Sequence, residues 1–349
     1  INLKKLSKDD LFEASRSGSR WLRRSALVEI RARYKMNGEK KFETNQPSSA
    51  TELELFLSSG NLVRIKDIAD AGLRGYAVRR IADRGMSEKD RNALIELASL
   101  EESPEVVSQL ISVSKRMDAN DGLEIVKTVL SRDLFDSDPH IPLLLWWSIE
   151  SKAQSNVDAL KKLFSSNKIW SSKILRKNII GRVMKRYASE ETIEGYLMSA
   201  FLLRSAVDED VKKTLINGFG EALRGKQIGA MPKELLSQFD AAKTLLPLPL
   251  RIRINSTGAV NEAISLMSNK NTSNSILVEL ISTLGSVNSG IAIDAIKTLL
   301  SRGAHKDVEV SCLAVLSAHC TDKGVKELAF TKALSSESMI REAALDLLA

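Results

Sequence analysis

Apolar residues recur at i, i+3, i+4 and i+7 along nearly the whole chain, and no stretch alternates with a period of two. A 3.6-residue period gathers side chains on one stripe of a helix, whereas a half-buried strand needs every second residue apolar. The chain is therefore expected to be all-α. Helices are expected over 8–17, 19–36, 49–59, 61–70, 72–84, 87–100, 103–116, 119–132, 140–151, 155–165, 172–187 and 190–204. Further helices are expected over 208–224, 232–243, 258–268, 274–286, 289–301, 306–318, 322–334 and 337–349. Helix-start signals mark several breaks, among them Ser103-Pro104, Asp138-Pro139 and Met231-Pro232. Only 7 prolines and 18 glycines occur in 349 residues, and aromatics are 5%, so the core is built from aliphatic side chains on helices.

The helices repeat. Val308, Val310, Cys312, Leu313 and Leu316 align with Ile276, Val278, Leu280, Ile281 and Leu284 at an offset of 32. Leu73, Arg74 and Ala77 align with Val106, Val107 and Leu110 at an offset of 33. The last helix, from Met339 to Leu347, follows the one from Val308 to Leu316 by 31. Helix pairs recurring at just over thirty residues indicate hairpins that bury their inner stripes only against their neighbours. In Trp21-Leu22-Arg23-Arg24-Ser25-Ala26 and Gly72-Leu73-Arg74-Gly75-Tyr76-Ala77-Val78-Arg79, a polar start is followed by an apolar residue, an Arg and a small residue. The small residue lets helices approach, and the Arg can reach a neighbouring loop. That pattern resembles the second helices of HEAT repeats, and the fold it implies is a HEAT-like α-α superhelix, a right-handed solenoid of stacked hairpins.

Two stretches interrupt the array: a polar loop at 37–48 and residues 244–257, where Leu246-Pro247-Leu248-Pro249-Leu250 is not expected to form regular helix. The expected organisation is an N-terminal array over 1–245, a Pro-containing break at 246–257 and C-terminal repeats over 258–349. The chain starts at Ile1 and ends inside an amphipathic stretch, as expected of a piece of a longer polypeptide.

The net charge of +7 is local. Residues 1–42 hold twelve Lys and Arg against five acidic residues, and residues 43–349 balance at 39 of each. A basic stripe can attract phosphates or an acidic partner, so nucleic-acid binding through the N-terminal helices is the alternative reading; the neutral balance elsewhere makes nucleic acid the less expected partner. No run of 18 apolar residues is present, so no transmembrane segment is expected. Cys312 and Cys320 lie about 12 Å apart if they share a helix, too far for a disulfide. The three histidines lack ligand spacing, and no phosphate-binding glycine loop, Ser/His/Asp context or paired-carboxylate signature occurs. No catalytic, cofactor or metal site is expected in this chain.

Two clusters stand out. Residues 136–150 contain two of the four tryptophans, two of the seven prolines and His140. Asp138-Pro139 starts a helix there, with Asp138 capping free N–H groups, and the run Leu143-Leu144-Leu145-Trp146-Trp147 is apolar nearly all round, as in a helix buried on several sides. Trp146 and Trp147 point about 100° apart. His140, Trp146 and Trp147 are thus candidates for docking a partner; a bulky core helix is the competing expectation. The second cluster is Lys173, Arg176, Lys177, Arg182, Lys185 and Arg186 with no acid between them. On one continuous helix 173, 177 and the pair 182/186 share a side, a candidate anion-binding surface, against which stands an ordinary solvated face.

From Gly72 to Ser151, Leu73-Arg74-Gly75-Tyr76-Ala77-Val78-Arg79, Ser103-Pro104-Glu105-Val106 and Asp138-Pro139-His140-Ile141-Pro142-Leu143-Leu144-Leu145-Trp146-Trp147 follow in an order that resembles the helical-repeat region of large haem-binding multidomain proteins of planctomycetes and verrucomicrobia, labelled putative membrane-bound dehydrogenases. Trp170, Arg182 to Arg186 and Gly218-Phe219-Gly220-Glu221-Ala222-Leu223-Arg224-Gly225 are also similar. The resemblance implies an exported, periplasmic protein in which a β-propeller similar to sugar dehydrogenases precedes the array and a c-type cytochrome domain with a Cys-x-x-Cys-His motif follows. Partners would be those flanking domains and another protein. Neither flank is in this sequence, and His319 precedes Cys320 instead of following it, so haem is expected only in a flanking domain and this segment is expected to be a non-catalytic linker and scaffold.

Overall fold

The computed structural model describes residues 2–15, 17–37, 49, 53, 65–83, 85–224, 226, 228–287 and 289–349. Every regular element among them is helical. Two compact units divide the chain, Ile1–Arg182 and Val183–Ala349. The first holds α1 (Lys8–Ser15), α2 (Arg20–Asn37), α3 (Ala71–Asp83), α4 (Glu88–Leu100), α5 (Pro104–Ser114), α6 (Ala119–Arg132), α7 (Ile141–Ala153) and α8 (Val157–Phe164). A turn of π-helix, Leu175–Ile179, leads into α9 (Ile180–Ala188), inside which the division falls. The second unit continues with α10 (Ile193–Ser205), α11 (Glu209–Ala222), α12 (Lys233–Ala241), α13 (Leu248–Arg253) and α14 (Ala259–Ser268). It ends with α15 (Asn274–Gly285), α16 (Gly290–Arg302), α17 (Lys306–Leu316), α18 (Lys323–Lys332) and α19 (Ser338–Leu348).

The helix ends follow local chemistry. Ser87 and Asp90 form a reciprocal capping box at the start of α4, and Asp118, Thr192, Asp208 and Asp322 each accept an amide N–H at the starts of α6, α10, α11 and α18. Such caps satisfy N–H groups that a helix leaves orphaned. The polar loop expected at 37–48 and the helix expected over 49–59 lie almost wholly outside the described residues, and Ile65–Asp67 is a 3-10 turn where the helix 61–70 was expected. The break at 246–257 also differs from expectation. It contains α13, with Pro247 as N-cap and Pro249 in the first turn, where a missing N–H costs no intrahelical bond. Leu250 and Ile252 of α13 are buried, and Ile252 joins the core of α14 to α19, so the segment belongs to the second unit's interior.

Within each unit a helix packs on its neighbour and on the next helix but one. In the first, α3 meets α5, α4 meets α6, α5 meets α6 and α7, and α6 meets α7 and α8. In the second, α13 meets α14 and α15, α15 meets α16 and α17, and α17 meets α18's partner α19. Two layers of helices result locally, with the aliphatic stripe of each pair closed by the next. Val107, Leu110 and Ile111 of α5 and Ile141, Leu145 and Ile149 of α7 are all at most 1% exposed. Full burial of a side chain of this size contributes roughly 1.5–3 kcal/mol.

Long polar side chains fasten one pair to the next. Arg74 grips Glu101 with Nε and Nη2 at 2.8 and 3.0 Å and gives Nη1 to the Ile68 and Ala69 carbonyls. The reach of this Arg into neighbouring loops is the one its sequence pattern suggested. Arg132 donates to the Ala98 and Glu101 carbonyls, Lys152 to those of Lys115 and Met117, and Arg33 to those of Leu3, Lys4 and Leu6. In the second unit Arg253 reaches the Leu223 carbonyl, and Lys332 meets Glu309. Arg33, Arg132, Lys152 and Arg253 thereby satisfy backbone carbonyls some thirty residues away that would otherwise be orphaned.

Burial works against the Glu101 carboxylate, but the Arg74 bonds and the Ser103 and Glu102 amides outweigh it and hold the carboxyl below its ordinary value. A carboxyl depressed on folding contributes fully above its unfolded pKa and loses that contribution as pH falls through the lower folded value. Glu101→Gln is therefore expected to cost about 3 kcal/mol at pH 7, as breaking a buried pair does. It should also flatten the acid limb of a plot of Tm against pH, and an unchanged acid limb in thermal melts would refute the pairing. A second expectation concerns close approach. A Cβ on Gly122 of α6 would overlap the Ser114 carbonyl oxygen, and one on Gly195 of α10 the Tyr187 carbonyl oxygen. Because the obstacle is backbone in both cases, Gly122→Ala and Gly195→Ala should each destabilise by about 1–3 kcal/mol in urea unfolding, against the gain that Gly→Ala brings in an open helix.

Candidate functional site

The α7 segment begins as its sequence indicates. Asp138 Oδ1 accepts the N–H groups of His140 and Ile141, both at 2.8 Å, and Pro142 sits in the first turn. Ile141, Leu145, Ser148, Ile149, Lys152 and Ala153 point inward. Ser148 meets Ser114 of α5 through a hydroxyl pair at 2.7 Å, with both residues buried.

The outer side of α7 corrects the expectation of a helix buried on several sides. Leu143 is 37% and Trp147 44% exposed, one turn apart, so they form an apolar ridge facing solvent. Trp146, about 100° round the helix, is half-buried, and His140 is exposed at the helix start. The indole that lies in the core is Trp170: it is 2% exposed, gives Nε1–H to the Phe164 carbonyl and stands 6.1 Å from the Phe164 ring. Burying an indole with its N–H paired is the stable arrangement; Trp147 has no such role.

The six basic residues do not form one free face. In the first unit Lys173 pairs with Asp136 at 3.7 Å, and its N–H goes to Asp133. Arg176 Nε donates to the Trp170 carbonyl at 2.6 Å. Lys177 and Arg182 are exposed. The π turn at Leu175–Ile179 adds a residue to one helical turn and rotates Arg182 by about 100° from the side it would share with Lys173 and Lys177 on a continuous α-helix. In the second unit Lys185 pairs with Glu221 at 3.2 Å, and Arg186 pairs with Glu190 at 2.6 Å. The neutralising acids come from outside the run, 36 residues away for Lys185, where sequence inspection of the run itself does not look.

Three other titratable groups, on Lys152, Tyr187 and Cys312, lie in the packed interior. Lys152 is buried, and burial lowers its pKa against an opposing pull from Asp118; the Lys115 and Met117 carbonyls take two of the ammonium's three N–H groups. Its signal in the sequence is a single Lys at the end of a face that is apolar but for Ser148. Burial pushes the Tyr187 phenol and the Cys312 thiol up to about 12 each. Cys312 and Cys320 are both free, one buried and one exposed. Among the described residues no group of three or more His, Cys, Asp or Glu side chains is placed to hold a metal ion, and no helix is long and apolar enough to cross a membrane.

Set beside known proteins, the chain matches no family model and no curated sequence.

The α7 geometry separates two tryptophans that are adjacent in sequence. Acrylamide should quench Trp147 alongside the more exposed Trp21, so in a Trp21→Phe background Trp147→Phe is expected to remove much of the remaining quenchable emission while changing Tm little. Leu145→Ala, one turn inside, should cost about 2–5 kcal/mol in urea unfolding. Equal stability losses from the two substitutions would show that the ridge is core.

Proposed function

We propose that this chain is a non-catalytic helical-repeat scaffold that docks a protein partner on the outer side of α7. The observation that carries the reading is the Leu143–Trp147 ridge, a large aromatic and an aliphatic side chain left in solvent on a helix whose other faces are packed. Exposed aromatics of this kind anchor interfaces, because burying one brings a large apolar area at little conformational cost. The order of packing, neighbour and next-but-one in each unit, is the order that stacked HEAT-like hairpins have, and the reading takes the larger arrangement to be a right-handed superhelix. The sequence resemblance supports a setting between a β-propeller dehydrogenase-like domain and a c-type cytochrome domain in an exported protein, and those flanking domains are the partners the reading favours. Haem and redox chemistry would then reside in the flanks, with none of it carried by residues of this chain.

A second reading, nucleic-acid binding through the basic N-terminal helices, is favoured by one feature. Arg24 of α2 and Arg79 and Arg80 of α3 line a groove of about 630 Å³ together with Tyr76 and Asp83, and Arg79 lies 5.8 Å over the Tyr76 ring. Against it, Asp83 also pairs with Arg116, and Arg23 and Arg33 spend their charge on backbone carbonyls.

Calorimetric titration of the chain with separately produced propeller and cytochrome domains decides between them. Trp147→Ala is expected to weaken binding by roughly tenfold or more, as loss of an interface anchor does, with helicity unchanged. Binding to duplex DNA with a steep fall in log K against log salt, and none to the protein domains, would overturn the scaffold reading in favour of the second. Turnover of a sugar or alcohol by the isolated chain would overturn both.

A further inference from the structure

Three helices, α3, α17 and α19, start alike. The fourth residue of each is charged and shares a stripe with the residues four and seven places on: Arg74 with Val78 and Ile81, Glu309 with Leu313 and Leu316, Arg341 with Leu345 and Leu348. In α3 and α17 the following helix pair closes that stripe. Val78, Ile81, Leu313 and Leu316 are at most 2% exposed. Each charge there meets a residue at the far end of the first helix of the following pair. Arg74 grips Glu101, the C-cap of α4, and Glu309 meets Lys332, the last residue of α18, at 2.7 Å.

In α19 the stripe is open, and Leu345 is 52% exposed. Arg341 repeats the near half of the Arg74 clamp: its Nη1 donates to the Ser335 carbonyl, six residues back, at 2.9 Å, as Arg74 Nη1 does to the Ile68 carbonyl. Nε and Nη2, the two donors with which Arg74 holds Glu101, have no partner in Arg341 among the described residues. The neighbouring α18 adds to the same face. Laying Ala292 and Ile296 of α16 on Val325 and Ala329 of α18, all at most 1% exposed, puts Phe330 in the place of Lys297. The Lys297 ammonium reaches the following pair, 3.0 Å from Asp322; Phe330 is exposed. The two earlier stripes thus describe what covers such a face: a stacked helix pair bringing an ion partner at the end of its first helix. Two free donors on one planar guanidinium make that partner a carboxylate, and Leu345 and Phe330 make the rest of the contact apolar.

We propose that the face of α18 and α19 docks a helical hairpin of a partner protein, in the register of the chain's own pairs, with a carboxylate at the end of the hairpin's first helix held by Arg341. This face is separate from the α7 ridge, and the proposal does not rest on the reading given for that ridge. Residues 83–116 supply a probe, because they contain α4, Glu101 and α5, the pair that closes the α3 stripe. A fluorescein-labelled peptide of these residues is titrated with the whole chain and followed by anisotropy. Saturable binding is expected, weakened roughly tenfold or more by Leu345→Asp or Arg341→Gln in the chain and by Glu101→Gln in the peptide. Arg341→Gln and Glu101→Gln together should weaken it little more than either alone, as for two members of one ion pair. An isolated hairpin loses affinity to its own ordering, so the same residues are also appended after Ala349, where they should raise the urea midpoint, with Leu345→Asp removing the rise. Sensitivity of either readout to Leu345→Asp sustains the docking face. Absence of both effects, or insensitivity of both to Leu345→Asp, overturns it, and binding that ignores Glu101→Gln overturns the carboxylate. Sedimentation of the chain alone as a dimer that Leu345→Asp dissociates would overturn the partner in favour of a second copy.

Discussion

The interaction on which everything else rests is the lateral closure of one helix pair by the next. A single amphipathic hairpin of some thirty residues exposes its aliphatic stripe and cannot offset the entropy of ordering its own backbone. Here α5 is covered by α3 and α7, and α15 by α13 and α17, so that each inner residue is buried twice over, by the partner helix and by the next pair. The stripe is therefore continuous through each unit, and a hairpin's stability is held jointly with its neighbours.

This mode of burial leaves the loops as the weak points, and the polar side chains are placed to deal with them. Helix ends present carbonyls that no residue of the same helix can satisfy. Arg74, Arg132 and Lys152 each reach back from a later element to fill them, and Asp133 does the converse by accepting the Ser172 hydroxyl and the Lys173 N–H. Several charges in this protein are thus spent on internal fastening. Some surface charges are paired across repeats, as with Arg116 and Asp83 or Lys226 and Glu191. Exposed pairs of this kind contribute at most about 1 kcal/mol each, but those of Lys173, Lys185 and Arg186 lower the surface potential that the run 173–186 suggests in sequence.

Much of this was legible before any coordinates. The 3.6-residue period located nearly every described helix to within a residue or two, because the same apolar stripe that makes the pattern is what the neighbours bury. Asp138 as a cap and Arg74 as a loop clamp were legible for a similar reason: both act within or next to their own helix. The misreadings share a different cause. Pro249 reads as a breaker when counted inside a segment and as harmless when the helix start is placed at Leu248. The π turn at Leu175–Ile179 leaves no mark in composition, yet it rotates everything after it. The two adjacent tryptophans of α7 differ only in which side of the helix α5 and α6 occupy.

The sequence by itself determined the all-helical class and most of the helix boundaries, since these depend on spacing and on local hydrogen bonds. Tertiary structure decided which charges are spent and which apolar residues stay in solvent. Lys185 meets an acid 36 residues away, Arg253 meets a carbonyl 30 residues away, and Trp147 keeps 44% of its surface in solvent. Partners at that distance are chosen by the register in which helix pairs pack, and no local pattern records it.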